Sequence, residues 1–467
     1  MSYNPENQFR CTIIRGKSQS EMEDLLPFYV QTVHKYCPCT KEEFDNYCNN
    51  SFAKHFYSND NYTDLPEGNK KTIRNHITEI MGKLFGLYVK SMNGYVKESE
   101  TCLFLYEKND FPAFFKNLCI NLQFPNYADS LNTTMEKLAN KIQLRPLTFV
   151  VKLLSIANSE SAHISKQEIG YYVLNNLDVL QGNVSEQEVW DRIREDRRNG
   201  IHRHKLTGSF EWQHIKEMLN LLELSNIIES DSDDIWLNYR EKEAIELFNR
   251  IGQENLFDVY KYNFNEEDEK KQLSEDWDTY YGHLNPTIGN LETNFGQTSI
   301  LDGLKYDNTD IGKTTEEEGD FGESFVYQKE FERIKAYKES LVSKVKLLGK
   351  SKGLGYNICS LEADEDINNP ELERFIEVKS TTRVTEPNFD ESWSDYINLS
   401  TKEWIAAEQY RENYYIYRVY FTKSKVIVMK MKNPYGKSEK NEIDAYATNY
   451  KLDFGASVLT KQYEEIL

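Results

Sequence analysis

Residues 319–435 switch between helical and strand periodicity in a fixed order, and this order constrains the fold more than any other feature of the chain. Apolar residues recur at helical spacing in GESFVYQKEFERIKAYKES, and a second helix can begin at a Ser400 cap with Glu403 three residues later. The predicted elements are a helix over 322–340, strands over 355–360 and 374–380, a helix over 397–413, and strands over 414–421 and 425–431. This order predicts an α/β domain with a small mixed sheet flanked by helices.

The strand RFIEVKS carries the residues on which the functional interpretation depends. Successive side chains of a strand point to opposite faces, so Phe375, Glu377 and Lys379 share one face and Ile376 and Val378 share the other. In a cleft, the Glu377 carboxylate could hold Mg²⁺ or Mn²⁺, and the Lys379 ammonium could orient a water molecule or stabilise charge on a phosphate. A lone Glu-x-Lys pattern is weak, because exposed Glu/Lys alternation is common in strands.

Two further residues could complete this site. Asn357 lies 20 residues before Glu377, in GYNI, and a hairpin through 361–373 would bring the two strands together. Glu323, on the preceding helix, could add a carboxylate at the same end of the sheet. The acidic run 364–366 falls in the hairpin turn and is better interpreted as a solvated tip than as a set of metal ligands.

The string GE…GYNICS…ERFIEVKST…LSTKEW…YYIYRVY resembles the domain at the C-terminus of the plant protein NO VEIN, which also occurs in many bacterial proteins. That domain looks like a member of the PD-(D/E)xK, restriction-endonuclease-like superfamily. The resemblance implies a Mg²⁺-dependent endodeoxyribonuclease whose Glu-x-Lys half is Glu377 and Lys379. It also matches Glu323 to the glutamate of the first helix, and it places Asn357 where the family usually has Asp.

The Asn at position 357 leaves two interpretations open. An amide offers a metal one neutral oxygen and no charge, so metal binding should be weaker than with a carboxylate. The site could be an active nuclease that uses Glu323, Glu377 and Asn357 as ligands. The alternative is a catalytically decayed nuclease fold, kept as a DNA- or protein-binding adaptor.

The front of the chain is predicted to be mainly helical. Residues 1–140 show no catalytic motif. In 141–250, a buried helix over 144–158 is followed by a capping box, Ser165 with Glu168, at the start of the next helix. A third helix over 210–227 and two short strands around an acidic turn over 227–238 then predict a winged-helix-like unit, with an ordinary helical packing domain as the alternative.

Three short segments of this region resemble the DNA-recognition part of some Type IIS restriction enzymes. They are LQFPN at 122–126, LRP at 144–146 and ISKQEI at 164–169. The resemblance implies that residues 1–250 recognise a DNA sequence while the C-terminal domain cuts, and a long linker between them would suit cleavage at a distance.

The formal net charge of −20 by itself argues against a nucleic-acid partner, but the charge is unevenly distributed along the chain. Residues 251–320 hold 17 Asp or Glu and 5 Lys or Arg, a net of −12, which predicts an acidic, partly ordered linker over 251–318. Residues 192–205 hold six basic residues against two acidic ones and could grip phosphates. The predicted DNA-binding residues are Arg192, Arg194, Arg197, Arg198, Arg203, Lys205 and Lys166.

Length, apolar content and cysteine count give expectations about domain number, membrane spans and cellular compartment. A chain of 467 residues with no long apolar run predicts several domains and no membrane span. The polar N-terminus has no signal core, and seven cysteines are unsuited to a disulfide scaffold, so a reducing cytoplasm is expected. His34, Cys37, Cys39 and Cys48 invite a zinc site, but their spacing is unusual and buried thiols are the simpler interpretation.

Together these observations predict a multidomain protein with a mainly helical N-terminal region, a winged-helix-like unit and a C-terminal α/β restriction-endonuclease-like domain over 319–467. The predicted function is a sequence-specific endonuclease of double-stranded DNA, of a restriction or phage-defence system. Cutting both strands needs either two copies of the chain, as in a homodimer, or two successive events.

Overall fold

The protein is described by a computed structural model over residues 3–11, 18–91, 93–126, 131–203, 209–282, 318–348, 353–390 and 393–446. Within these ranges, each helix is either too short or too polar to cross a membrane. We refer to the described residues up to 282 as the N-terminal body and to those from 318 as the C-terminal domain.

Helices dominate the N-terminal body. Several begin at capping boxes, in which a Ser or Thr side chain and a Glu three residues later satisfy the first backbone N–H groups; Ser18, Thr40, Ser165 and Ser185 are such caps. The helices are α1 (Gln19–Tyr36), α2 (Lys41–Tyr57), α3 (Glu67–Asn75, continued by a π-helix over His76–Leu84), α4 (Glu100–Lys108), α5 (Phe111–Asn121), α6 (Leu131–Ala139), α7 (Pro146–Ser159), α8 (Lys166–Ile169, continued by a π-helix over Gly170–Leu174), α9 (Leu177–Leu180), α10 (Glu186–Arg198), α11 (Ser209–Leu224), α12 (Lys242–Ile251) and α13 (Glu267–Gly282).

Two small antiparallel sheets repeat one topology within this body. The first has the order β1-β3-β2 and the second the order β4-β6-β5. In each, a helix leads to a two-residue strand, more helices follow, and a hairpin closes the sheet. The strands are β1 (Cys39–Thr40), β2 (Tyr88–Lys90), β3 (Tyr95–Glu98), β4 (Ile164–Ser165), β5 (Ile228–Ser230) and β6 (Asp234–Leu237). The hairpin predicted over 227–238 is thus present, while the winged-helix interpretation stays a prediction.

The linker predicted over 251–318 is folded in its first part, which corrects the expectation of exposed chain there. Helix α13 overlaps most of the charged segment 265–278, yet its Leu273 and Trp277 are each 1% exposed. These residues are one helical turn apart, so they form an apolar stripe that packs against the N-terminal body while the charges face solvent. Residues 283–317 of the predicted linker lie outside the described residues.

The C-terminal domain is built on a mixed sheet of order β11-β10-β9-β8-β7. Strands β9 and β10 are parallel, and the other neighbours are antiparallel. Helix α14 packs on one face of β9 and α15 on the other. The elements are α14 (Glu318–Tyr337), β7 (Lys346–Leu347), β8 (Ile358–Leu361), β9 (Glu373–Thr382), α15 (Thr401–Tyr410), β10 (Tyr414–Phe421), β11 (Val426–Lys432) and α16 (Pro434–Glu439). The predicted mixed sheet is confirmed, and β7 is an addition to it.

The two parts meet where β9 continues past its last residue. The buried Glu23 of α1 accepts hydrogen bonds from the backbone N–H groups of Val384 and Thr385, each at 2.7 Å. The guanidinium of Arg383, 2% exposed, forms an ion pair with Asp24 at 2.8 Å. The strand that carries the predicted catalytic residues is therefore anchored directly to the first helix of the N-terminal body.

Candidate active site

Strand β9 presents alternate residues to the two helices that cover it, as the sequence predicted. Ile376 and Val378 belong to the apolar cluster that includes Phe321 of α14, whereas Phe375 packs with Ala407 of α15. Side chains of odd number on β9 therefore face α15. Glu377 and Lys379 lie on this face, between the sheet and α15.

Glu377 and Lys379 form a close ion pair, and α15 adds a third group that the sequence did not indicate. The Lys379 Nζ atom lies 2.8 Å from Oε1 of Glu377 and 3.1 Å from Oε2 of Glu403. The Glu377 carboxylate is 3% exposed, and the other two side chains are partly accessible. The Lys379 ammonium thus lies close to one carboxyl group from the strand and one from the helix.

Burial and charge pull the ionisation of this trio in opposite directions. Burial raises the pKa of Glu377 to about 8; attraction to Lys379 opposes this rise, and repulsion from Glu403 adds to it. Burial alone would lower the pKa of Lys379, but Glu377 and Glu403 outweigh it and raise that pKa. Lys379 is consequently an ammonium at neutral pH, suited to stabilising negative charge rather than to accepting a proton.

Asn357 lies just before β8 and contacts Glu323 and the backbone of β9. Its Nδ2 atom donates to Oε1 of Glu323 at 2.9 Å, and its Oδ1 atom accepts from the backbone N–H of Val378 at 2.7 Å. Val378 stands between Glu377 and Lys379 in sequence, so the amide is attached to the Glu-x-Lys strand itself. Asn357 and Glu323 are both buried.

A glycine allows Glu323 to approach the strand. Gly322 of α14 packs against β9 so closely that an added Cβ atom would collide with the hydroxyl of Ser380 and lie 3.6 Å from Val378. A larger residue at position 322 would require the Ser380 side chain to rotate or α14 to move away from the strand. Gly322 thus permits the close approach of α14 to β9, and Glu323, the next residue, supplies a carboxylate near the strand.

The oxygen donors at β9 are of the types that a hard divalent cation such as Mg²⁺ prefers. Glu377 and Glu323 offer carboxylates, and Asn357 offers a neutral oxygen that already accepts one hydrogen bond. Among the described residues, no three His, Cys, Asp or Glu side chains converge in a way suited to a metal, and this includes the segment from Cys37 to Cys48. The ligand types at β9 thus suit a cation, but Glu323, Glu377 and Glu403 are not arranged as a three-carboxylate metal site within the described residues.

Most of the arginines predicted to grip DNA are engaged with acidic side chains of the protein itself. They lie on or just after α10. Arg192 pairs with Asp196, Arg194 with Glu160, Arg197 with Glu168, and Arg203 with Asp196 and Glu6. Their charge is therefore largely compensated, which the two acids counted in 192–205 did not reveal. Arg198 is exposed, and Lys205 lies outside the described residues.

Lys166 lies at a cleft between the two parts of the protein. The cleft has a volume of about 480 Å³ and is lined by the face of α11 that carries Trp212, Lys216 and Asn220, together with Lys166 and Thr385 of the C-terminal domain. Lys166 also donates a hydrogen bond to Ser230 Oγ at 3.1 Å, and its Nζ atom lies 3.8 Å from Oε1 of Glu223, which lines the same cleft. Indole, amide and ammonium groups on one helix face can stack on and hydrogen-bond to a planar polar ligand.

Comparison with known proteins identifies the N-terminal body. The model of the family described as "Restriction endonuclease BpuJI - N terminal" matches residues 3–278, which is more than half of the chain. The chain belongs to the BpuJI N-terminal family. The BpuJI-type region includes α13, in agreement with the packing of that helix on the body. It also confirms the predicted resemblance to the recognition part of restriction enzymes.

Two further comparisons cover both ends of this BpuJI-type chain. One similar solved structure is described as a crystal structure of pyrene- and phenanthrene-modified DNA in complex with the BpuJ1 endonuclease binding domain. The protein in that structure is 40% identical in sequence to this chain, and the two superpose with a TM-score of 0.56. The match covers 60% of this chain and 100% of that one. The family model "Protein NO VEIN, C-terminal" matches residues 322–431, which confirms the second predicted resemblance. No curated protein matches the chain.

Proposed function

We propose that this protein is a divalent-metal-dependent, sequence-specific endonuclease of double-stranded DNA, of a restriction or phage-defence system. The observation that carries the proposal is the joining, in one chain, of a BpuJI-type body to a domain that holds Glu377 and Lys379 2.8 Å apart on one buried strand. The first part supplies recognition and the second supplies chemistry. All seven cysteines are free thiols, which suits a reducing cytoplasm.

The N-terminal body is proposed to bind DNA. The support is its 40% identity, over the whole of that domain, to a protein described in complex with modified DNA. Within the body, the face of α11 with Trp212, Lys216 and Asn220 is the better candidate for base contacts than α10, because its polar groups line an open cleft while the arginines of α10 are paired. Lys166, at the rim of this cleft, is retained as a DNA-binding residue.

The C-terminal domain is proposed to hydrolyse a phosphodiester bond. Glu377 and Glu323 would hold Mg²⁺ or Mn²⁺ with help from the Asn357 amide oxygen, and the ion would supply Lewis-acid chemistry at the phosphate. Lys379 donates hydrogen bonds and so can orient the attacking water or stabilise charge on a non-bridging phosphate oxygen. Water attacks phosphorus in line with the sugar oxygen that leaves: a P–O bond to the water forms while the P–O bond to the sugar breaks, the attacking water gives up a proton to solvent, and the leaving oxygen takes one up from solvent.

The hydrogen bonds of Asn357 favour a second candidate function, a DNA- or protein-binding adaptor without catalytic activity. The Asn357 amide is hydrogen-bonded through both its nitrogen and its oxygen, to Glu323 and to Val378, so this side chain has partners without a metal. A domain of this kind could retain its fold without catalysis and bind DNA or protein only.

The test is cleavage of plasmid DNA by the purified full chain with Mg²⁺ or Mn²⁺. Glu377→Ala and Lys379→Ala should each abolish cleavage while DNA binding persists. Glu373→Ala is the matched control, because Glu373 is an exposed glutamate at the start of the same strand. DNA binding without cleavage under every metal condition would establish the adaptor instead. The oligomeric state, measured on DNA, distinguishes a homodimer from two successive cuts.

A further inference from the structure

Glu403 occupies a position in the candidate site that neither the Glu-x-Lys pattern nor the resemblance assigns. It is the third residue of α15, where its carboxylate completes the capping box with Ser400. Its Oε2 atom accepts from the backbone N–H of Ser400 at 2.7 Å and from Lys379 Nζ at 3.1 Å. One carboxylate oxygen thus joins the start of the helix to the lysine on the neighbouring strand.

This second contact restricts where the Lys379 amine can lie. A lysine side chain has four rotatable bonds, and it loses much of its rotamer freedom when contacts hold the amine in one place. An ammonium has three N–H donors; Lys379 donates one to Glu403, the Glu377 carboxyl group lies 2.8 Å from the same nitrogen, and a remaining donor can meet a water or a phosphate oxygen. With Glu377 alone, the amine could swing about a single contact.

We propose that Glu403 is a positioning residue for the reaction, which holds the Lys379 ammonium beside Glu377 in the orientation that meets the scissile phosphate. This inference rests on the proposed nuclease function. Glu403 itself need not touch DNA or metal, because it acts through Lys379.

The competing explanation is that Glu403 only caps α15. A capping box accepts Gln as well as Glu at this position, since either side chain offers an oxygen to the N–H of the cap residue. Glu403→Gln therefore keeps the cap and removes the charge that holds Lys379. Glu408→Gln is the matched control: it removes an exposed carboxylate from the same helix, where it contacts Tyr435 instead.

The first measurement is plasmid cleavage by the full chain with Mg²⁺. A misplaced catalytic group typically costs about 100-fold in rate, so kcat should fall by about that factor in Glu403→Gln. KM, DNA affinity and the unfolding midpoint should stay at wild-type values, and Glu408→Gln should match wild type in all of them. An unchanged kcat in Glu403→Gln, or a fall equal to that in Glu408→Gln, overturns the inference.

The second measurement does not depend on activity. Acetic anhydride labels accessible amines, and mass spectrometry gives the acylation rate of Lys379 in each variant. Lys379 should be acylated several-fold faster in Glu403→Gln than in wild type, with Glu408→Gln unchanged. Equal rates in all three proteins overturn the inference even if the enzyme cuts. A wild type that never cuts, with Lys379 released in Glu403→Gln, overturns the proposed nuclease and leaves the anchoring of the lysine established.

Discussion

Replacing Asn357 by Asp introduces the residue that the resemblance to restriction-endonuclease-like domains implies at this position, and the structure indicates what this change costs. The Nδ2 atom of Asn357 donates to Glu323 at 2.9 Å, whereas its Oδ1 atom accepts from the N–H of Val378. The aspartate keeps the acceptor toward Val378. It replaces the donor by an oxygen that faces a carboxylate, so only the contact with Glu323 changes sign.

The magnitude follows from that single contact. A hydrogen bond to a charged group contributes about 1.5–3 kcal/mol, and two buried carboxylates also repel each other. Asn357→Asp should therefore lower the free energy of unfolding by at least about 1.5–3 kcal/mol in a metal-free buffer. A cation bound between the carboxylates adds about 2.7 kcal/mol when its concentration is 100 times Kd, which is enough to close the gap.

Guanidinium unfolding in EDTA and in saturating Mg²⁺ measures both effects. The double substitution Asn357→Asp with Glu323→Gln is the control, because an amide then donates to a carboxylate with the roles exchanged, and most of the metal-free loss should return. Equal stability of Asn357→Asp and wild type in EDTA would refute the described hydrogen bond. A loss that Mg²⁺ does not reverse would refute a cation site at this position.

Three further results are expected. The folded protein keeps a proton on Glu377 up to about pH 8, whereas the unfolded chain loses this proton near the ordinary pKa of 4.5. The metal-free free energy of unfolding should therefore fall as pH rises from about 4.5 to about 8, by up to about 1.4 kcal/mol per pH unit. Glu377→Gln should flatten this profile of unfolding free energy against pH. Arg383→Met leaves Glu23 and Asp24 facing each other without their cation and should cost about 3–5 kcal/mol in chemical unfolding. Trp277→Ala should cost about 3–5 kcal/mol in the same assay if α13 belongs to the folded body, whereas an exposed linker would show no change.

Local patterns in the sequence were enough to predict most of the C-terminal domain. The strand over 414–421 has the predicted bounds, and Ser400 caps its helix with Glu403 as expected. Both follow from contacts between residues close in sequence, which periodicity and capping rules describe well. The face shared by Glu377 and Lys379 follows from strand alternation alone.

Contacts between distant segments could not be predicted in the same way. Glu403 was identified as a helix cap, yet its approach to Lys379 depends on how α15 packs across the sheet. The arginines of α10 were counted as a basic stretch, although Arg194 and Arg197 find acids about 30 residues away. Charge counts along a chain carry no information about such pairing.

The folded start of the predicted linker was missed for a related reason. The acids and lysines of 265–278 dominate the composition of this segment, while its two buried apolar residues, Leu273 and Trp277, pack into the core. A helix needs only a narrow apolar stripe to dock, and averaging over a window conceals it.

The anchoring of β9 on α1 has a consequence for the protein when its backbone is broken. A protease nick between residues 282 and 318 would sever the covalent connection, but the grip of Glu23 and Asp24 on residues 383–385 would remain. The two fragments should then co-elute as one particle in size-exclusion chromatography. Under the proposed function, the spacing between the recognised DNA sequence and the cut bond would then be set by the contact of α1 with residues 383–385.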